Sequence, residues 1–282
     1  MYCVFKWQVV YLLSAIPTFY PNMPIKVGAI THRLRESEFG CIAYDVMRCV
    51  FDIHNDPGRF FDEKIYKREL GNRYPGTRLE VPIQVAFDSF RKLYFLDALI
   101  NGSVPFEFKI AESLTDRHRS QLLHYLLLAD LPHGKLVNMK TEQVQHEFVN
   151  TMMRPHYRKG FVVNDSNWRE IGDKSIREWF TAFLRDLGTC LEISLYEEAL
   201  TYFLGGEKQV LKDIEVISAS VSLGLQKFRL VVPGIAFKVT TLTDDLNLFE
   251  IHARRILNHT NLETFQWINV TRTEVLFQTI HK

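Results

Sequence analysis

Asp97, Glu107 and Lys109 are the residues whose types and spacing first suggest chemistry. Asp97 lies in a short apolar segment, and Glu107-Phe108-Lys109 follows in a second one. On adjacent strands the two carboxylates would meet at one edge of a sheet. Hard oxygen ligands there suit magnesium or manganese. Such an ion lowers the pKa of bound water and stabilises charge on a scissile phosphate. Lys109 is two residues from Glu107, so strand periodicity points both side chains to one face. An ammonium there can orient the attacking water or neutralise charge in the transition state. Glu63, on a helical pattern upstream, can complete the metal shell. Gln121 and Tyr125 share a helix face by i,i+4 spacing and can bind phosphate or stack on a base.

The elements that must position these residues are legible as periodicities. From Glu36 to His54 apolar residues recur at helical spacing, and Asn55-Asp56-Pro57-Gly58 stops the helix. A second helical pattern runs from about Phe60 to Leu70. Arg78 to Phe87 alternates apolar and polar, as a strand does. Lys92 to Ile100 and Val104 to Ile110 read as strands joined by an Asn101-Gly102 hairpin signal. A helix from about Asp116 to Leu128 follows, then strands at 135–139 and 144–149. The order is α-α-β-β-β-α-β-β, a mixed α/β unit ending near Asn150.

The second half repeats this order. Gly58 with Tyr66 matches Gly188 with Tyr196. Lys109 is set against Lys238, and Asn138 against Asn269. The offset stays near 130 residues throughout, which reads as a tandem duplication. The expected division is 1–30 as an N-terminal extension, 31–150 as the first domain, 151–172 as a linker and 173–282 as a second copy. Each domain is expected to be a mixed central sheet flanked by helices.

At the chemical residues the chain resembles the PD-(D/E)XK nuclease superfamily, and more narrowly its GxxExxY proteins. The resemblance runs from about Gly58 to Val149. Glu63-Lys64-Ile65-Tyr66 matches a Glu-x-x-Tyr helix, Asp97 and Glu107-x-Lys109 the catalytic strands, and Gln121 to Tyr125 a QxxxY helix. Phe60 departs from the pattern, standing where a glycine usually precedes the glutamate. The resemblance implies tandem nuclease-like domains. It implies a metal-dependent nuclease with Glu63, Asp97 and Glu107 on magnesium or manganese, Lys109 catalytic, and Gln121, Tyr125 and Tyr66 toward nucleic acid, DNA favoured. A fold retained for binding or scaffolding without catalysis is the alternative. In the second copy Gln226 falls opposite Asp97, Ala236 opposite Glu107, His252 opposite Gln121, Ile256 opposite Tyr125 and Ile193 opposite Glu63. Glu192 is one place out of register, and only Lys238 survives. That copy is expected to do no chemistry. It is expected to pair with the first by a pseudo-twofold arrangement and to offer Lys238, Arg254 and Arg255 to phosphates.

Formal net charge is +1 over 282 residues, so any phosphate-binding surface is local. The run from Arg154 to Lys159 is either part of such a surface or a solvated linker. Cys3, Cys41, Cys49 and Cys190 show no CxxC spacing and suit a reducing, cytoplasmic setting, which makes the sequons at Asn101, Asn258 and Asn269 chance matches. Trp7 to Ile16 loosely resembles a signal peptide; an over-extended start, with Met23 as first residue, is the other reading. No stretch reaches the length of a membrane span. His118, His124 and His133 lack the spacing of metal ligands, and neither a Walker motif nor GxGxxG occurs.

Overall fold

The computed structural model describes residues 23–173 and 175–282. The reading of residues 1–22 as a leader or a mis-called start lies outside them. A short strand β1 (Ile25–Val27) precedes helices α1 (Glu36–Asn55) and α2 (Glu63–Arg73). Phe39, Ala43, Val46, Met47, Val50 and Ile53 form the buried stripe of α1. Strands β2 (Thr77–Phe87), β3 (Phe90–Ile100) and β4 (Val104–Lys109) follow as an antiparallel meander. Asn101 and Gly102 both take positive φ, +50° and +68°, as a tight hairpin turn requires. Helix α3 (Asp116–Ala129) then carries the chain over to β5 (His133–Asn138), which lies parallel to β4, and β6 (Gln145–Asn150) returns antiparallel.

The second half contains α4 (Pro155–Arg158), β7 (Val162–Asn167), α5 (Ile176–Leu187), α6 (Ile193–Phe203) and α7 (Glu207–Val210). It continues with β8 (Leu211–Ser218), β9 (Val221–Val232), β10 (Ile235–Thr240), α8 (Leu246–Asn258), β11 (Thr264–Val270) and β12 (Glu274–His281). The strand orders are β1-β2-β3-β4-β5-β6 and β7-β12-β11-β10-β9-β8. Two six-stranded mixed sheets flanked by helices are the expected mixed α/β class, consistent with tandem domains of one fold. β2 to β6 and β8 to β12 run in the same spatial order. The extra strand differs: β1 lines the β2 edge, whereas β7 lines β12. The stretch 151–172 is therefore not a bare linker, since β7 within it is a strand of the second sheet.

Local bonds recur at the same offset. The Tyr66 hydroxyl donates to the Gly58 carbonyl at 3.0 Å and accepts from the Phe61 N–H. The Tyr196 hydroxyl donates to Gly188 at 3.0 Å and accepts from Leu191. The Asn138 side chain clamps both backbone groups of Ala111, and that of Asn269 clamps both of Leu242. The ladders correct the sequence alignment. Ala98 pairs with Phe106 as Arg229 pairs with Phe237, and Lys109 pairs with Asn138 as Thr240 pairs with Asn269. Lys238 thus stands at the place of Glu107, not of Lys109, and Phe228 at that of Asp97. A two-residue slip keeps every side chain on its face, so hydrophobic pattern could not reveal it.

Three apolar layers hold the chain. One lies between the first sheet and α1 with α2. Another lies between the second sheet and α8. The third is shared: Val81, Ile83 and Leu122 of the first half join Phe180, Phe183 and Phe237 of the second. The two halves therefore meet through different faces. The first contributes its α3 side and the second its α5–α6 side, which corresponds to the α1–α2 side of the first. This head-to-tail packing replaces the expected pseudo-twofold, which would bury the same face twice. The composition of the helices explains it. α3 buries Leu122, Leu126, Leu127 and Leu128, apolar around more than one side, whereas α8 presents Glu250, Arg254 and Arg255 outward.

Arg158 sits in this junction, fully buried. Its guanidinium donates to the carbonyls of Leu127 (3.1 Å), Leu187 (3.0 Å) and Thr189 (3.2 Å). Leu127 and Leu187 lie in the last turns of α3 and α5, where unpaired carbonyls and the helix dipole favour a cation. A Cβ at Gly188 would come within 2.8 Å of the Arg158 Cβ, which fixes glycine there. The basic run is therefore partly an internal strut rather than a phosphate site or a solvated linker.

Candidate active site

The β3–β4 ladder covers only three pairs, Ile100–Val104 to Ala98–Phe106. Beyond it the strands part, and β4 continues beside β5 alone. The gap leaves the Phe108 N–H without a strand partner. The Asp97 carboxylate fills that role, accepting from Phe108 N at 2.8 Å. Asp97 is thereby pinned next to Glu107, at the point where the sheet opens.

The opposing strand is distorted at the same level. Glu80 has φ +49°, a left-handed value in mid-strand that side chains rarely adopt. It interrupts the regular pairing between Leu79–Ala98 and Val81–Leu96. On one side of this break Leu79 and Ala98 pack toward α1 and α2; on the other Val81 and Leu96 pack toward α3.

Lys67 of α2 enters this opening. Its ammonium lies 2.8 Å from Asp97 Oδ1 and 3.3 Å from Glu63 Oε1, and it also pairs with Glu80. Burial opposes the charge, yet the bonds to Asp97 and Glu80 raise the Lys67 pKa well above its ordinary value. Glu63 opens α2 and is raised by partial burial and by the charge of Asp97.

Glu107 is 2% exposed. Lys109 donates to its Oε1 at 2.7 Å, and both side chains lie on one face, as strand spacing requires. Its Oε2 is buried with no hydrogen-bond partner. Burial first, then the charge of Asp97, push the Glu107 carboxyl up to about 8, against the opposing pull of Lys109.

α3 supplies the roof. Gln121 Nε2 donates to the Tyr125 hydroxyl at 3.0 Å. Burial pushes Tyr125 up to about 12, against the pull of the Gln121 bond, and the charges of Glu107 and Asp97 add to the rise. At 7% exposure, Tyr125 has no free face for a base, and its reading as a stacking platform gives way to packing. Tyr66 is also corrected: it is fully buried, and its hydroxyl is consumed in tying the loop before α2. Gln121 remains half-buried at the rim. Phe60, at the position of the missing glycine, is 89% exposed and leaves the carboxylates untouched.

The sequence-derived residues Glu63, Asp97, Glu107 and Lys109 thus share one electrostatic cluster. Lys67 and Glu80 were missed. Glu63 and Lys67 stand four apart on one helix face, a signal that was available. Glu80 occupied a polar position in an alternating strand, where solvent is the ordinary expectation. In the second half, Glu197 takes the position of Lys67 and pairs with Lys238 (3.0 Å) and Arg229 (3.1 Å). An ion cluster persists there with its charges reversed, Glu197 buried, Arg229 half-buried and Lys238 exposed. Lys238 is therefore engaged, as is Arg254, which donates to Glu250 and the His281 carbonyl. Both are paired cations that keep 46% of the side chain exposed. Arg255 is exposed.

Among the described residues no three His, Cys, Asp or Glu side chains stand close enough to hold a metal ion as placed. The donors nevertheless fit one chemically. They are carboxylate oxygens, the ligands magnesium and manganese prefer, and the Glu107 Oε2 lacks any partner. His133 bonds Asn150, and His124 accepts from Glu192 N through Nδ1 while its buried Nε2 has no partner, so both rings are held within the fold. A cavity of about 530 Å³ lined by Phe87, Phe90, Trp179, Tyr202 and Phe203 lies away from the carboxylates. No described helix is long and apolar enough to cross a membrane. Cys41, Cys49 and Cys190 are free thiols.

A family model described as the PD-(D/E)XK nuclease superfamily matches residues 41–151. That span contains every residue of the cluster. No curated protein matches the chain. Among solved structures, the crystal structure of SSO0001 aligns at 22% identity and a TM-score of 0.27, over 42% of this chain and 60% of that one. At that score the likeness carries no argument.

Proposed function

We propose that the first half is a metal-dependent nuclease of the GxxExxY type, cutting phosphodiester bonds of nucleic acid, with DNA favoured. The observation that carries this reading is the parted strand pair, which sets Asp97 beside Glu107 and Lys109 within the matched span. Glu63, Asp97 and Glu107 would hold magnesium or manganese, which supplies an activated water and charge neutralisation at the phosphate. Lys109 orients that water or meets the charge building on the phosphoryl oxygens. Gln121, at the rim, contacts the backbone of the substrate. The second half descends from the same fold by duplication and does no chemistry: Phe228 and Lys238 stand where the two carboxylates would be needed.

The test is cleavage of single- and double-stranded DNA and RNA by the full chain. Cutting is expected with magnesium or manganese, and not with chelator or with Glu107→Ala. A second reading, a nuclease fold kept for binding alone, draws on the Lys67 ammonium among the carboxylates. It gains if no substrate is cut under any metal.

A further inference from the structure

We propose that Lys67 sets the cation affinity of the carboxylate cluster, its ammonium holding the place that a divalent ion must take. The inference rests on the metal-dependent reading and deepens it.

Three carboxylates converge on the Lys67 Nζ: Asp97 at 2.8 Å, Glu63 at 3.3 Å, and Glu80. Asp97 and Glu63 are ligands assigned to the metal. An ammonium has three N–H donors and no more. All are spent on these partners. The Glu107 Oε2, at the same opening, is left buried without a donor. A six-coordinate divalent ion has positions to spare for it. The present arrangement is therefore a partial solution: one unit of charge, three carboxylates met, one oxygen unmet.

Glu80 is what keeps the lysine there. Its left-handed φ in mid-strand turns the carboxylate toward Lys67. Lysine reaches the cluster on a flexible four-carbon stem, so rotamer changes alone can withdraw the ammonium without moving α2. The second half shows a different resolution of the same geometry. There one carboxylate, Glu197, meets two cations, Lys238 and Arg229, so its negative charge is met by side chains alone.

The test is a manganese titration of the full chain, followed by calorimetry and by the electron paramagnetic resonance of free manganese. Lys67→Met is expected to bind one ion at least tenfold tighter than wild type. Its melting temperature in chelator should fall below that of wild type and recover with manganese. Glu80→Gln, which loosens the lysine and spares the assigned ligands, should tighten binding a few-fold. Asp97→Ala added to Lys67→Met should abolish binding. A folded Lys67→Met protein with unchanged or weaker affinity, beside a wild type that does bind, overturns the role of Lys67 and leaves the nuclease reading standing. Absence of binding in both overturns the inference and the metal-dependent reading together. Binding that survives Asp97→Ala places the ion elsewhere and also defeats the inference. If Lys67→Met does not fold, Glu80→Gln decides: tighter binding supports the proposal, and equal or weaker binding refutes it.

Discussion

Lys109, half-buried, and Lys67, buried, are both lysines beside carboxylates, but their bonds divide their roles. Lys109 has one partner, Glu107 Oε1, and lies on the same face of β4. Lys67 is held by carboxylates of three different elements, α2, β2 and β3. A lysine with one partner can leave it for a developing charge; one held three ways acts first on the resting site. Lys109→Met is therefore expected to lower single-turnover cleavage by about 10²- to 10³-fold, the range for removing one group that meets transition-state charge. Substrate affinity should stay within a few-fold. Full activity in that variant would remove Lys109 from the chemistry.

At the scale of elements, α3 is shared between the two halves. His124 on this helix is buried and lies edge-on to Tyr94 at 4.8 Å. Its Nδ1 accepts the Glu192 N–H, and its Nε2 has no partner. Burial first, then the charge of Arg158, hold its pKa down to about 3. The sign follows directly. The unfolded imidazole takes a proton near pH 6.5 while the folded one stays neutral, so stability present above pH 6.5 drains away as pH falls toward 3. His124→Leu is expected to lose less melting temperature than wild type between pH 7 and pH 5; equal loss would show the titration to lie elsewhere. The position of His124 was not legible beforehand, but its helix was. Regular helices and strands follow from periodicity, and α1, β2 and α3 appeared within a few residues of their sequence bounds. Asp97, Glu107 and Lys109 were legible because residue type and spacing encode them. The parting of β3 from β4, the left-handed Glu80 and the entry of Lys67 were not. Each depends on which backbone groups lack partners, which no single stretch of sequence records. β7 was missed for a related reason: Val162 to Asn167 has only two apolar residues and is a strand because β12 offers it an edge.

The whole molecule is held as a stack in which one apolar layer belongs to both halves. Cutting the chain near Asn150 would expose that layer, so the halves are expected to unfold together. Arg158 and Phe183 test this from different directions. Arg158→Met leaves the Leu127, Leu187 and Thr189 carbonyls buried without their donor. At about 1–3 kcal/mol for each group left unsatisfied, and with some relaxation, a loss of about 3 kcal/mol is expected in urea unfolding. Phe183 on α5 is fully buried and lies 5.4 Å from Phe87 and 6.3 Å from Phe90, both of the first half. Phe183→Ala is expected to cost about 3–5 kcal/mol. The informative part is where that cost is felt. Trp179 packs on Phe87 and Phe183 and donates to Asp88 at the junction, so with Trp7 and Trp179 replaced by Phe in every protein compared, the fluorescence of Trp168 and Trp267 follows the second half. Hydrogen exchange of the β3 and β5 amides follows the first. If the shared layer couples the halves, Phe183→Ala should shift both signals to the same lower denaturant concentration. A fluorescence transition that moves while exchange in β3 and β5 stays put would show two independent domains. The second half would then be dispensable to the stability of the candidate site.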